Sequence, residues 1–170
     1  MINPLIRLDE FAKACRFSEA KEFIKSLTID PSGATRESLL AAHSSALDFL
    51  TLLEADISRS GMPVQLRLKS GQTLEKVKVT SPGKLFGETT AGVSEFGWGD
   101  VDPGSLIEFY RSSVRTRVNE AGKALRDENA ITYDWLVGDR SRAATAAERL
   151  GIDNPAFKKR WDGIISGLPR

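Results

Sequence analysis

The hydrophobic period of the chain changes at Ser60 and Gly61. Before them, from about Thr35 to Ser58, Leu39, Leu40, His43, Ala46, Leu47, Leu50, Leu53 and Ile57 fall on one stripe, with Glu54 at its edge. That spacing belongs to an α-helix of about six turns, long enough to be the spine of the N-terminal half. After them, Val64, Leu66 and Leu68, then Val77 and Val79, occupy every second position, the period of a strand with one buried face. A chain that switches in this way and then runs strand into strand is expected to be α+β.

Ser70 and Gly71 turn the first hairpin. Leu74 and Val77 are three apart, so the second strand is expected to bulge or change face near Glu75. Pro82 and Gly83 lead into a third strand, KLFGETT, and Ala91 and Gly92 into a fourth, VSEFGW. Four short strands with tight turns make a small antiparallel β-meander or open barrel.

The stretch VSEFGWGDVDPGSLIEF, residues 93–109, must then turn strand into helix. Asp102 followed by Pro103 reads as an N-cap followed by a first helical residue whose missing N–H costs nothing. Leu106, Ile107, Tyr110 and Val114 give the new helix its buried stripe, and Gly97 and Gly99 let backbone pass close to an inward Trp98. The reading is a structural corner. A ligand loop is the alternative, but the run lacks phosphate-loop spacing, and a nucleotide fold needs a parallel crossover after its first strand.

Helical spacing governs both ends. Residues 5–15 (Leu5, Ile6, Leu8, Phe11, Ala12, Cys15) and 18–27 (Ala20, Phe23, Ile24, Leu27) form two short helices, with Ser18 as the expected cap of the second and Pro31 and Gly33 as its stop. Residues 119–137, 140–150 and 155–168 form three more, separated at Gly138–Asp139 and at Gly151, Asp153 and Pro155. The expected organisation is a helical segment, 1–61, a small meander, 62–101, and a helical segment, 102–170, that packs with the first as one unit.

With 24 basic and 23 acidic side chains, the formal charge of +1 provides no global field to gather nucleic acid or anionic membrane. A hydrophobic content of 41% with 28% charged residues suits a chain that folds throughout. The single cysteine, Cys15, forms no intramolecular disulfide and reads as a small apolar helix residue one turn after Phe11. No apolar stretch approaches the ~18 residues of a membrane span, and the N-terminus lacks the basic start and apolar core of a signal peptide. The expectation is a cytoplasmic protein, or a soluble portion of a larger one.

His43 is the only histidine, so no histidine-pair metal motif exists and a Ser/His/Asp triad would hang on this residue. It lies within the helical stripe, and Ser44 and Ser45 cannot face it across one or two positions. There is no cysteine cluster and no glycine-rich nucleotide fingerprint, so no cofactor and no metal is expected. The carboxylate pairs Asp9/Glu10 and Asp127/Glu128 read as solvated helix charges, which leaves Asp100 and Asp102 as the candidate acidic site. Arg111, Arg115, Arg117, Arg140 and Arg142, with Lys158, Lys159 and Arg160 beside Trp161, offer a basic face interleaved with acidic residues. Trp135 and Trp161 read as packed aromatics, or as part of an exposed patch that binds another protein.

Residues 64–101, from VQLRLKSG to EFGWGDV, resemble a small SH3-like or Sm-like barrel: a strand, a glycine turn, a long bent strand and two more strands over one core. The helix at 35–58 stands where Sm-like proteins carry a leading helix. Neither RNA-contacting signature of that family is present, so RNA binding passes to no residue. The order of barrel strands, GWGDVDPGSLIEF, helix and LVGDRSRAATAAERL is similar to accessory, non-catalytic regions of large bacterial multidomain proteins, some carrying kinase domains. The matching residues are Trp98, Asp100, Pro103, Gly138, Asp139 and Ala143, and there is no kinase motif. The helical hairpins, with an echo between RFSEAKEFIKSL (16–27) and DRSRAATAAERL (139–150), resemble peptide-binding tetratricopeptide-like repeats.

These resemblances imply a non-catalytic interaction or scaffold module of a larger signalling or envelope-associated assembly. Its partner would be another protein or other domains of a larger protein, with nucleic acid not expected. Trp98, Trp135, Trp161, Arg140 and Arg142 are the candidate interaction surface. The alternatives are an Sm-like binder of single-stranded RNA and an enzyme acting through Asp100 and Asp102 with His43.

Overall fold

The structure, a computed structural model, describes residues 3–61 and 63–169. Helix α1 (Pro4–Lys13) starts at a proline behind Asn3, whose side chain accepts a hydrogen bond from Leu5 N–H at 3.0 Å. It ends at Ala14, and Cys15 takes a left-handed φ of 55°. Cys15 is therefore the hinge between two helices and not a residue of the first. Its spacing from Phe11 is the same in both cases, which is why periodicity misplaces it.

Helix α2 (Phe17–Ser26) has no side-chain cap; its N-cap position is Arg16, and the expected cap Ser18 is an exposed residue of the first turn. The helix starts two residues earlier than that cap would start it because fully buried Phe17 anchors it, packing outweighing capping chemistry. Helix α3 (Arg36–Ser60) follows the expectation closely: Thr35 accepts from Ser38 N–H at 3.2 Å, and Gly61 ends it at φ 56°.

The sheet is antiparallel in the order β1 (Leu66–Arg67), β2 (Thr73–Ser81), β3 (Lys84–Thr89), β4 (Gly92–Gly97). The register of β2 against β3 slips between Glu75 and Lys78, where Lys76 sits at φ 52°. This bulge returns Leu74 and Val77, three apart, to the same buried face. After β4 a 3₁₀ turn (Trp98–Asp100) brings the chain back to β1: Val101 bridges Leu68, Lys69 N–H donates to Asp100 O at 2.8 Å, and Asp102 N–H donates to Arg67 O at 2.9 Å. The outer edge of β1 is thereby covered and the meander curls into a small open barrel. A Cβ on Gly99 would lie 2.8 Å from Ala14 O, so this corner requires glycine.

Helix α4 (Pro103–Phe109) is capped as expected, Asp102 accepting from Ser105 N–H at 2.9 Å. It does not stop as an ordinary helix: it widens into a π turn over Tyr110–Val114 and tightens into a 3₁₀ turn over Arg115–Arg117. Helices α5 (Glu120–Val137), α6 (Arg140–Asp153) and α7 (Pro155–Ser166) follow, each with an Asn or Asp N-cap: Asn119, Asp139 and Asn154.

The largest core cluster joins Ala12 of α1, Phe17 of α2, Phe49 and Leu53 of α3, Leu66, Leu74 and Leu85 of the sheet, and Leu106, Tyr110 and Tyr133 beyond it. All three stretches of the sequence contribute to this one core. Glu54 fastens sheet to helix, one carboxylate oxygen accepting from Trp98 Nε1 at 2.7 Å and from Gly83 N–H at 2.8 Å. Two smaller clusters lie beneath the helices, one around Ile24, Leu39 and Leu168, the other around Ile131, Ala143 and Phe157. No described helix is long and apolar enough to cross a membrane.

Candidate interaction clefts

Two clefts share α5 as a wall. The wide one, about 770 Å³, lies between α4 with its π turn, α5 and α6, over an apolar floor of Ile107, Ala130, Ile131, Ala143 and Leu150. Charged residues stand around that floor, and most are tied to each other. Tyr110 donates to Asp127 Oδ1 at 2.6 Å, and Arg115 grips the same carboxylate through Nε at 2.8 Å and a terminal nitrogen at 3.0 Å. Burial, reinforced by the Asp127 carboxylate, pushes the Tyr110 hydroxyl far above its usual range. The hydrogen bond to Asp127 raises the Arg115 guanidinium.

The deepest anion is Asp134, whose side chain is 2% exposed. Arg142 donates to both its oxygens, at 2.7 and 2.6 Å, and Asp139 N–H donates at 3.0 Å. A Cβ on Gly138 would strike this carboxylate, so the Gly–Asp break positions the ion pair as well as the turn. The Asp134–Arg142 pair and the packing of Ile131 on Ala143 and Ala147 run α6 back antiparallel to α5. Arg111, Arg115 and Arg149 therefore gather at one end of the cleft with Asp127 and Asp153, and Arg142 lies at the other with Asp134 and Asp139. Among the described residues, exposed Arg111 and Arg149 have no ion-pair partner.

The narrow cleft, about 200 Å³, is bounded by Leu5, Leu8, Asp9 and Ala12 of α1, Leu39 and His43 of α3, Trp135 and Leu136 of α5, and Arg140, Leu168 and Pro169. His43 is 2% exposed and its Nδ1 lies 2.8 Å from Leu39 O. A carbonyl only accepts, so Nδ1 carries the proton and Nε2 is a bare acceptor. Buried Nε2 has no partner among the described residues, and neither does Trp135 Nε1. Burial lowers the pKa of His43 below its ordinary 6.5, so the ring is neutral at neutral pH.

The expected interaction residues divide. Trp98 is 4% exposed and bonded to Glu54, so it belongs to the core and leaves the proposed surface. The reason is the glycine-flanked corner, which turns its ring inward. Trp135 and Trp161 pack edge to face with centroids 5.7 Å apart, and the Arg140 guanidinium lies 5.3 Å over Trp135. Arg142 points into the wide cleft and is bound to Asp134.

The acidic candidates serve turns: Asp100 Oδ2 accepts from Gly97 N–H at 2.9 Å, and Asp102 caps α4. His43 stands apart from them on α3, against the narrow cleft. Half of the basic face is neutralised, by Arg115–Asp127, Arg142–Asp134, Arg160–Glu128 and Lys158–Asp162 pairs. Among the described residues no cluster of three or more His, Cys, Asp or Glu side chains is set to hold a metal ion. Burial pushes the Cys15 thiol up to about 12, which keeps it protonated.

Hydrophobic spacing gives no sign of Arg149, of Asp134 or of the π turn. A usable signal was there for Asp134, five residues before the Gly138–Asp139 break and eight before Arg142.

No family model matches the chain, and no curated protein or solved structure matches it either. Fold and geometry together define the class: an α+β protein whose helical hairpin, leaning on an extended α4, leaves a cleft with arginines on its walls.

Proposed function

We propose that the protein is a non-catalytic interaction module whose wide cleft takes a short segment of a partner protein. That segment sets apolar side chains on the floor and an acidic side chain against Arg111 and Arg149. The observation that carries this reading is the division of labour among the four arginines. Arg115 and Arg142 are held by Asp127 and Asp134, whereas Arg111 and Arg149 stand exposed at one end with no partner among the described residues.

An unpaired arginine beside an apolar floor binds a carboxylate without first breaking an ion pair, and such arginines are common binding hot spots. The shifted groups support binding over proton transfer. Tyr110 and Cys15 are pushed away from neutral pH, and the arginine shifts come from ion pairs. An unpaired, protonated Cys15 suits a reducing cytoplasmic setting, and a module of this kind fits a larger signalling or envelope-associated assembly.

Selection of random peptides on the immobilised protein tests the reading. Enriched peptides should combine apolar and acidic residues, and should lose at least tenfold in affinity against the Arg111→Glu/Arg149→Glu protein. Enrichment of nothing, or of peptides that bind the double variant equally, would remove the wide cleft as the docking site.

A further inference from the structure

We infer that the narrow cleft is a binding site for a small monocarboxylate with an apolar body about the size of one aromatic ring, its head group held by Arg140. Size is the first ground. A dry apolar cavity of ~150 Å³ accepts benzene, and this cleft measures about 200 Å³.

The lining is the second. Leu5, Leu8, Ala12, Leu39, Leu136 and Leu168 present hydrocarbon, and an ordered water needs two to four polar partners, which these walls do not offer. His43 Nε2 and Trp135 Nε1 are sealed from solvent and do not take the head group. The guest that suits such walls is apolar.

Charge is the third ground. Arg140 belongs to the lining, is exposed, and has no ion-pair partner among the described residues. Its guanidinium rests 5.3 Å over the Trp135 ring, which holds it at the cleft. The one carboxylate among the described lining residues, Asp9, is paired with Lys13 at 2.6 Å and not with Arg140. An apolar chamber with a cation at its wall and no free anion selects a carboxylate attached to hydrocarbon. The site uses α1, α3, the end of α5 and the start of α6, and its head-group residue is neither Arg111 nor Arg149, so its test is separate from that of peptide docking in the wide cleft.

The probe is benzoate, with benzamide as its neutral counterpart, followed by saturation-transfer NMR and by tryptophan fluorescence on the intact protein. Benzoate should bind saturably and benzamide about tenfold more weakly. Arg140→Gln should reduce benzoate to the benzamide level, a loss of about tenfold. Ala12→Met, which extends a side chain of the lining, should abolish binding of both. Because Ala12 also touches the main core, the exposed Arg140 variant carries the test if the filled one does not fold. No saturable benzoate binding at millimolar concentration, equal binding of benzamide, or benzoate affinity unchanged by Arg140→Gln would each overturn the assignment.

Discussion

The two clefts share a wall yet treat buried polar atoms in opposite ways. In the wide cleft the buried carboxylate of Asp134 has three donors, and half-buried Asp127 is bonded by Tyr110 and Arg115. In the narrow cleft two buried nitrogens, His43 Nε2 and Trp135 Nε1, have none among the described residues. An unmade hydrogen bond on a buried group costs about 1–3 kcal/mol. The difference implies that the wide cleft is a pre-paired frame in which, among the described residues, Arg111 and Arg149 are the two of its four arginines left without an ion-pair partner. The narrow one is lined mainly by hydrocarbon, with Arg140 as the cation among its described lining residues.

Removing a partner from the frame should therefore produce the largest effect. Arg142→Met leaves the Asp134 carboxylate, 2% exposed, with the Asp139 N–H as its one donor among the described residues. Breaking a buried pair from one side costs about 3–5 kcal/mol, and the urea midpoint should fall accordingly. A loss below about 1 kcal/mol would mean that the Gly138–Asp139 turn, not the pair, sets the α5–α6 angle.

The second effect is in the narrow cleft and appears as a slope. Burial lowers the folded-state pKa of His43 below 6.5, so below that pH the unfolded chain binds a proton that the folded protein refuses. Stability should then fall as pH drops below 6.5, by up to ~1.4 kcal/mol per pH unit, and level off once the buried ring protonates. In His43→Leu this part of the slope should vanish. An identical slope in both proteins between pH 7 and 5 would assign the dependence to the carboxylates.

The residues behind these two effects were not equally legible. The stripe on α3, the three hairpins with the bulge in β2, and the Asp102–Pro103 start of α4 rest on local periodicity and capping, and the structure carries all of them. Local rules failed where tertiary packing decides: Phe17 starts α2 ahead of Ser18, and Cys15 becomes a hinge. The clefts were hidden for the same reason. A π turn leaves no mark in hydrophobic spacing, and the pairing of Asp134 with Arg142 depends on α6 folding back on α5. Trp98 carries both expectations, inward corner residue and interaction surface, and the structure keeps the first: it is buried, with its Nε1 bonded to Glu54, forty-four positions earlier in the chain.

Trp135→Phe sharpens the contrast from the other side. The substitution deletes a donor that has no acceptor while keeping an aromatic ring against Trp161. Loss of ring area and relief of the orphaned N–H nearly offset each other, so stability should change by less than about 1 kcal/mol. A loss of 2 kcal/mol or more would show that Nε1 has a partner in solution, and the narrow cleft would then be as fully paired as the wide one.

The smallest expected effect on stability is at the two free arginines. Arg111 and Arg149 are exposed and bonded to nothing among the described residues, so Arg111→Glu and Arg149→Glu should each shift stability by less than about 0.5 kcal/mol. Thermal melting of the single and double variants measures this directly. If stability is unchanged while peptide capture is lost, charge at that end of the cleft serves a partner and not the fold. If either reversal destabilises the protein by more than about 1 kcal/mol, that arginine is paired in solution, most simply with Asp153, the other uncapped charge at that end. All four arginines would then belong to the frame, and the cleft would hold no free cation for a partner to find.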